Sequence, residues 1–495
     1  MLPGCHARRG SVNDHCGQTA WPSGRGRRRY RRWDSWLILS GWLLFTWFLL
    51  WQATVAPTLV WQDSRVYEAI GSLPVWSGEF WFNQRPPLTP LLWRLTGSPA
   101  GFVIGQTLIA SASWGFLTLT IGRNVARGWR RVMACFIVLA FATTLPITQW
   151  NRSLLSETLA ISALAVLFGI AIRLASAPSV RRVAALIGCC MWIVLARDSG
   201  ITLSLMLAAG AIFLFMRSHK RNRMMLPGVM MLSGVAVVGL VLVASFSIAG
   251  VLDSGRSIPN IEDVLYVRIF PYPARVAWFA AHGMPEAKRI DQLARSQRAS
   301  ATSAAPVVVP DLTSPKFLSL DHWLAQRSSG TYSLWLATHP LYVLSEPLIR
   351  PERAYNFANG DLLFYAASNR VTSGLGPILW PPWPWIILFG VGAIRATYVR
   401  DLWKDKTLQM VALLAVLGVP VMAVAWHSDG QEVTRHTLEG LVQLRLGVLL
   451  SLIISSSRAS TRVGNVEEPG HGLSGGAGLL VMGGQRGERL AAPER

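Results

Sequence analysis

Residues 154–173 read LLSETLAISALAVLFGIAIR, an apolar run of spanning length with one carboxylate, Glu157, close to its start. A helix needs about 20 mostly apolar residues to cross roughly 30 Å of hydrocarbon, and this run meets that need. Similar runs flank it at 36–56, 99–121, 132–150, 183–198, 199–216, 224–249, 383–399, 407–426 and 438–455. Together they predict an all-α membrane protein of about ten transmembrane helices, its extracytoplasmic loops carrying interfacial helices.

Charge supports the same reading. The chain has 495 residues and a net charge of +21, yet only 15% of its residues are charged. The basic residues sit in short clusters between apolar runs, which is the pattern of loops retained on the cytoplasmic side. Nucleic acid, the usual partner of so basic a chain, is therefore not expected. Arg8 to Arg32 place the N-terminus inside. Arg123, Arg127, Arg130 and Arg131, then Arg181 and Arg182, then RSHKRNR at 217–223 and RATYVRDLWKDK at 395–406 fall on that side too. Arg458 and Arg462 place the C-terminus there as well. The expected location is the plasma (inner) membrane, with several passes and both termini cytoplasmic.

The expected organisation follows from these runs. Residues 1–34 form a basic disordered tail, 35–249 an N-terminal membrane region of seven helices, and 250–380 an extracytoplasmic loop region. Residues 381–456 hold three more helices, and 457–495 a disordered tail. The first apolar run is too long and too rich in Trp and Leu for a cleaved signal peptide. Arg197-Asp198-Ser199-Gly200 reads as a turn between two short spans. Residues 296–315 read as a loop, and Tyr332 to Ile349 as one helix lying at the membrane interface. Cys135, Cys189 and Cys190 lie in apolar runs, and Cys5 and Cys16 in the basic tail; they form no disulfide or metal framework.

Polar residues capable of chemistry gather in the loops on the opposite side. In WQDSRVYEAI, Asp63 and Tyr67 are four apart and share a helix face, with Arg65 nearby. Arg85 precedes Pro86-Pro87, which forces an extended turn. Each reads equally as a solvated loop residue. Glu157 reads either as an acid favoured by a helix N-terminus or as a group facing a wet cavity. Arg197 and Asp198 are a phosphate contact or a helix-end ion pair. Asp429, Glu432, Arg435 and His436 precede the last run, where Glu432 and His436 can line a cavity mouth or start a solvated helix. His339, His427 and His436 are too scattered to suggest metal ligands. No GxxxxGK loop points to a nucleotide-driven pump.

Asp-x-Arg-x-Tyr after the first run, Arg-Pro-Pro-Leu before the second and Ser-Glu at the head of the fourth resemble the C-type (GT-C) membrane glycosyltransferases. The closest echoes are the lipid A aminoarabinose transferases and the protein O-mannosyltransferases, and WHSDGQEVTRHTLEGLVQLRLGV at 426–448 with ARDSG at 196–200 resembles uncharacterised actinobacterial members of the same group. The resemblance implies transfer of a sugar from a polyprenyl-phosphate donor to a lipid or glycan acceptor at the extracytoplasmic face, by inverting single displacement. By position, Asp63 would be the general base, Glu157 would orient it or the acceptor, and Arg65, Arg85 and Arg197 would hold the donor phosphate. Tyr67, Asp198, Glu432, Arg435 and His436 would line the cavity. Ser64 stands where the mannosyltransferase pattern has a second acid, which leaves a divalent metal without support; no other cofactor is expected. The competing expectation is a polytopic transporter or lipid flippase. It is disfavoured because no internal repeat is visible and the ionisable residues sit at span ends.

Overall fold

The computed structural model describes residues 25–55, 57–125, 128–209, 227–254, 257–300, 308–349, 382–398, 404–430 and 433–466. These residues are helical almost throughout; one isolated bridge, Leu59 to Ser153, is their only β pairing. The first helices are α1 (Arg25–Val55), α2 (Gln62–Ser72), α3 (Gly78–Trp81), α4 (Leu88–Thr96) and α5 (Pro99–Asn124). Next come α6 (Trp129–Ala142), α7 (Leu145–Thr148) with a 3₁₀ turn over Gln149–Arg152, α8 (Glu157–Ser176) and α9 (Val180–Ala196). A short apolar helix, α10 (Ser199–Ala209), precedes α11 (Pro227–Ser254). The second half holds α12 (Ser257–Val264), α13 (Pro273–Ala281), α14 (Ala287–Ser300), α15 (Leu318–Thr338) and α16 (Pro340–Ile349). The last three helices are α17 (Pro382–Tyr398), α18 (Lys406–Ser428) and α19 (Val433–Val466).

Five of these are long and apolar enough to cross a membrane: Trp33–Val55 of α1, α5, α8, α18 and Arg435–Arg458 of α19. A sixth arises if α6 and Leu145–Arg152 count as one span bent by 59°. The bend has a local cause, since Pro146 lacks the N–H that would bond back to Ala142. The chain is thus an all-α membrane protein, but the expected ten spans are not reached among the described residues. The shortfall is one of length. With 17 residues each, α9 and α17 extend about 26 Å at 1.5 Å per residue, less than the hydrocarbon thickness. Only 11 residues of the expected span 199–216 are described as helix, and the apolar part of α11 is Val237–Gly250.

Several expected boundaries move. Helix α1 starts at Arg25 and α19 runs to Val466, so helix extends into both segments expected to be disordered. Arg is a good helix former and prolongs a helix beyond its apolar part. Likewise α14 carries helix to Ser300, into the expected loop. The single interfacial helix expected over Tyr332–Ile349 is two, α15 and α16. They break at His339 because the residue before Pro340 is driven out of the helical region.

Contacts sort the helix ends into two groups. At one end Ser176 meets Asn124 and Thr407, Arg458 pairs with Asp405, and Gly128 N–H donates to Asp34. Arg123, Arg130, Arg131, Arg173, Arg181 and Arg182 belong to this end by their positions in the helices. The other end gathers Asp63, Glu157, Arg197 and Arg435. The bundle core is built on α8, whose residues from Glu157 to Ala165 are all buried. Helices α18 and α19 cross so closely that a Cβ on Gly418 would lie 2.5 Å from the Gly440 carbonyl oxygen. Small residues allow this backbone approach. Helices α12–α16 have a core of their own, around Leu265, Ile269, Phe279, Ile290, Leu324 and Trp335.

Candidate functional site

The site begins with a loop docked on a turn. Gln106 of α5, fully buried, donates from Nε2 to the carbonyls of Trp150, Asn151 and Ser153 at 3.2, 2.9 and 2.8 Å. That fixes the turn preceding Glu157. Leu59 pairs with the same turn, its N–H donating to Arg152 O at 2.9 Å and its carbonyl accepting from Leu154 N–H at 3.1 Å. Ser64 then does two jobs: its Oγ accepts from Trp61 N–H at 2.9 Å, capping α2, and donates to Leu154 O at 2.9 Å. The residue that departs from the mannosyltransferase pattern is therefore a structural tether. It brings Asp63 beside Glu157.

Asp63 is gripped from both sides. Arg85 Nη2 lies 2.6 Å from its Oδ1, and Arg435 Nη2 lies 3.0 Å from its Oδ2. Arg435 Nε also binds Glu157 Oε1, so one guanidinium bridges the two carboxylates. Arg197 Nη1 approaches the same Glu157 oxygen at 3.5 Å. Its Nη2 lies 3.1 Å from His436 Nδ1, and His436 Nε2 lies 3.0 Å from Asp429 Oδ2. Because guanidinium only donates, Nδ1 accepts; the ring proton belongs on Nε2 and points to Asp429. Ser199 Oγ donates to Glu439 Oε2 at 2.5 Å behind them.

Electrostatics follow from this packing. Burial opposes ionisation of Asp63, but Arg435 and Arg85 outweigh it and hold the carboxyl below its ordinary range. For Tyr67, burial and then the Asp63 and Glu157 carboxylates push the phenol above its ordinary value. Tyr67 stays neutral and keeps a proton to donate.

These groups open on a cavity of about 240 Å³. Asp63, Tyr67, Arg85, Arg197, Asp198, Arg435 and His436 line it, together with Pro86, Ser156, Ser199, Asn260 and Ser428. Val424, Ala425, Ile201 and Ala196 give it an apolar wall. Glu157 stands apart: it is fully buried and does not line the cavity, and its work is to hold Arg435 and Arg197. Arg65 lies apart from this group and does not line the cavity. It is exposed and makes no ion pair among the described residues, because two positions along a helix turn it about 200° from Asp63. Glu432 lies outside the described residues. Among the described residues no group of three His, Cys, Asp or Glu is arranged to hold a metal ion.

Three features escaped the sequence reading. Arg435 lines the cavity as expected, but its bridging of Asp63 and Glu157 has no sequence signature. Arg268 of the π-helical turn Leu265–Ile269 is buried and donates to Trp426 O at 2.5 Å and Asp429 O at 2.8 Å, with its guanidinium 4.7 Å from the Trp426 ring. Arg445, 2% exposed, sits ten residues into the Arg435–Arg458 span, its guanidinium 5.8 Å from the Trp385 ring. The signal for Arg435, Glu439 and Arg445 was their ionisable character inside an apolar run, which has a cost unless partners are present.

The chain matches no protein-family model, and no curated protein matches it either. Fold and site define it as an all-α membrane protein with a charged cavity at one end of its helix bundle.

Proposed function

We propose that the protein is a membrane glycosyltransferase of GT-C-like architecture. It moves a sugar from a polyprenyl-phosphate donor to a lipid or glycan acceptor of the cell envelope. The observation that carries this reading is the shared cavity: the Asp63 carboxylate and the guanidiniums of Arg85, Arg197 and Arg435 open on one space, with Asp198 also on its wall, and a base and phosphate ligands are what the transfer needs. In the reaction Asp63 takes the proton of the acceptor hydroxyl as its oxygen bonds to the anomeric carbon. The bond from that carbon to the phosphate oxygen breaks, and the leaving phosphate keeps the electron pair. Arg85, Arg435 and Arg197 balance the charge that develops there. One base is enough for a single displacement with inversion.

With both guanidiniums on it, Asp63 is a weak proton acceptor. A donor phosphate competes for Arg85, the more exposed partner, and releasing Arg85 restores basicity to Asp63. Base strength thereby depends on donor binding. The apolar wall of Val424, Ala425 and Ile201 suits the first prenyl units. The cavity lies opposite the arginine-bearing end of the bundle, which supports an extracytoplasmic site under the positive-inside tendency.

Mass spectrometry of envelope glycolipids and glycans from a deletion strain tests the reading. A glycosyl increment that disappears, and returns with wild type but not Asp63→Asn, supports it; an unchanged profile removes it. One observation favours a second reading, a transporter or lipid flippase: Arg445 is buried near the middle of a span, where ionisable groups mark transport pathways. Counterflow uptake by purified protein without covalent product, lost in Arg445→Met, would choose that reading instead.

A further inference from the structure

At the arginine-bearing end, α6 and the last turns of the Arg435–Arg458 span leave a groove of about 440 Å³, larger than the Asp63 cavity. Its inner walls are Met133, Ile137, Leu449, Leu452 and Ile453. Its outer end holds Trp129, Arg130, Ser456 and Ser457. From Trp129 to Ile137, and from Ser457 back to Leu449, each wall descends eight residues, about 12 Å along the helix axis. The groove therefore grades along its length from a cation and hydroxyls to an apolar floor. That is the order of groups along a glycerophospholipid from headgroup to acyl chain.

Charge decides which lipid. The Arg130 guanidinium lies 6.0 Å from the Trp129 ring, and Trp129 is 71% exposed, as an aromatic at headgroup depth should be. Arg123, Arg131, Arg173 and Arg182 crowd the same end of the bundle. Of the two acids there among the described residues, Asp405 pairs with Arg458 and Asp34 accepts the Gly128 N–H. Among the described residues the surplus is positive. A zwitterionic headgroup brings its own ammonium into that field, whereas an anionic one does not. Met133 and Ile137 are 48% and 39% exposed, so no described part of the chain covers the floor.

We infer that this groove holds one anionic glycerophospholipid, with its phosphate on Arg130 and the upper part of an acyl chain along the Leu449–Ile453 wall. This site is separate from the Asp63 cavity and does not depend on what that cavity does.

Native mass spectrometry of the full chain, released from nanodiscs of equal phosphatidylglycerol and phosphatidylcholine, tests it. The wild type should retain one phosphatidylglycerol in preference to phosphatidylcholine. Arg130→Gln should reduce that preference about fivefold, the worth of one basic residue near the headgroups. Leu452→Trp, which fills the groove, should remove the retained lipid. Arg295→Gln, an exposed change on α14 away from the groove, should leave retention as in wild type. Equal retention of the two lipids by wild type overturns the inference. So does full preference in Arg130→Gln, or phosphatidylglycerol still bound to a Leu452→Trp protein that elutes as wild type does. If Leu452→Trp does not fold, the Arg130→Gln comparison decides alone.

Discussion

Arg435 and Glu157 meet across 278 positions of sequence, one side chain 6% exposed and the other fully buried. Burying both ions costs much of what their attraction returns. The pair is tolerable because each ion has a second partner: Asp63 on the Arg435 side and Arg197 on the Glu157 side. The cluster is therefore a linked set, and its members cannot be removed singly without leaving charge behind.

Arg435→Met should lower stability by about 3–5 kcal/mol, because Glu157 loses its closest cation inside the bundle. The double change Arg435→Met with Glu157→Gln should recover most of that loss. Thermal unfolding of the four proteins in detergent, treated as a double-mutant cycle, checks this. Strictly additive losses would mean the two side chains do not interact.

Asp63→Asn should reduce sugar transfer by about 10²–10⁴-fold while the protein still folds, the range expected for removal of a general base. Radiolabelled transfer in proteoliposomes gives the number. A rate within about threefold of wild type would exclude Asp63 as the base, since that is far below what a proton acceptor contributes.

The two arginines of the Asp63 loop should part company. Arg85→Ala should weaken donor binding and transfer together, because a charge-assisted partner of both Asp63 and the donor phosphate is lost. Arg65→Ala, on the far side of the same helix, should behave as wild type. Donor-concentration series on both variants test the assignment, which fails if the order of effects is reversed.

Asp63 has a lower pKa in the folded protein than in the unfolded chain. Its stabilising contribution is thus present above the unfolded value, about 4, and is lost as pH falls through the depressed folded value. Stability measured from pH 7 to 3 should drop at the acid end more steeply in wild type than in Asp63→Asn. Identical acid limbs would contradict the ion-pair assignment.

Gly418→Leu should prevent stable assembly of the last two spans, because even a Cβ there would lie 2.5 Å from the Gly440 carbonyl oxygen. Protease resistance in isolated membranes would report it. Wild-type resistance would mean that the helices can separate without penalty.

Much of the helical architecture was legible in sequence because apolar runs and proline breaks are local. Glu157 at the head of α8 and the turn at Arg197 follow from such signals, as do Asp63 and Tyr67 on one face of α2. Helical phase was the lost information for Arg65: it shares a motif with Asp63 but not a face. Arg435 shows a different limit, since its partners lie 278 and 372 residues away and no spacing rule reaches that far. The span count failed for a third reason. Apolar composition alone does not distinguish a full crossing from a 17-residue helix such as α9.

Arg268, from a helix outside the bundle, donates to the carbonyls of Trp426 and Asp429. It acts as a rivet between the α12–α16 unit and the strip of chain that carries His436's partner. The same Asp429 that Arg268 holds by its carbonyl holds His436 by its carboxylate, so two bonds separate the outer helices from the imidazole at the cavity mouth.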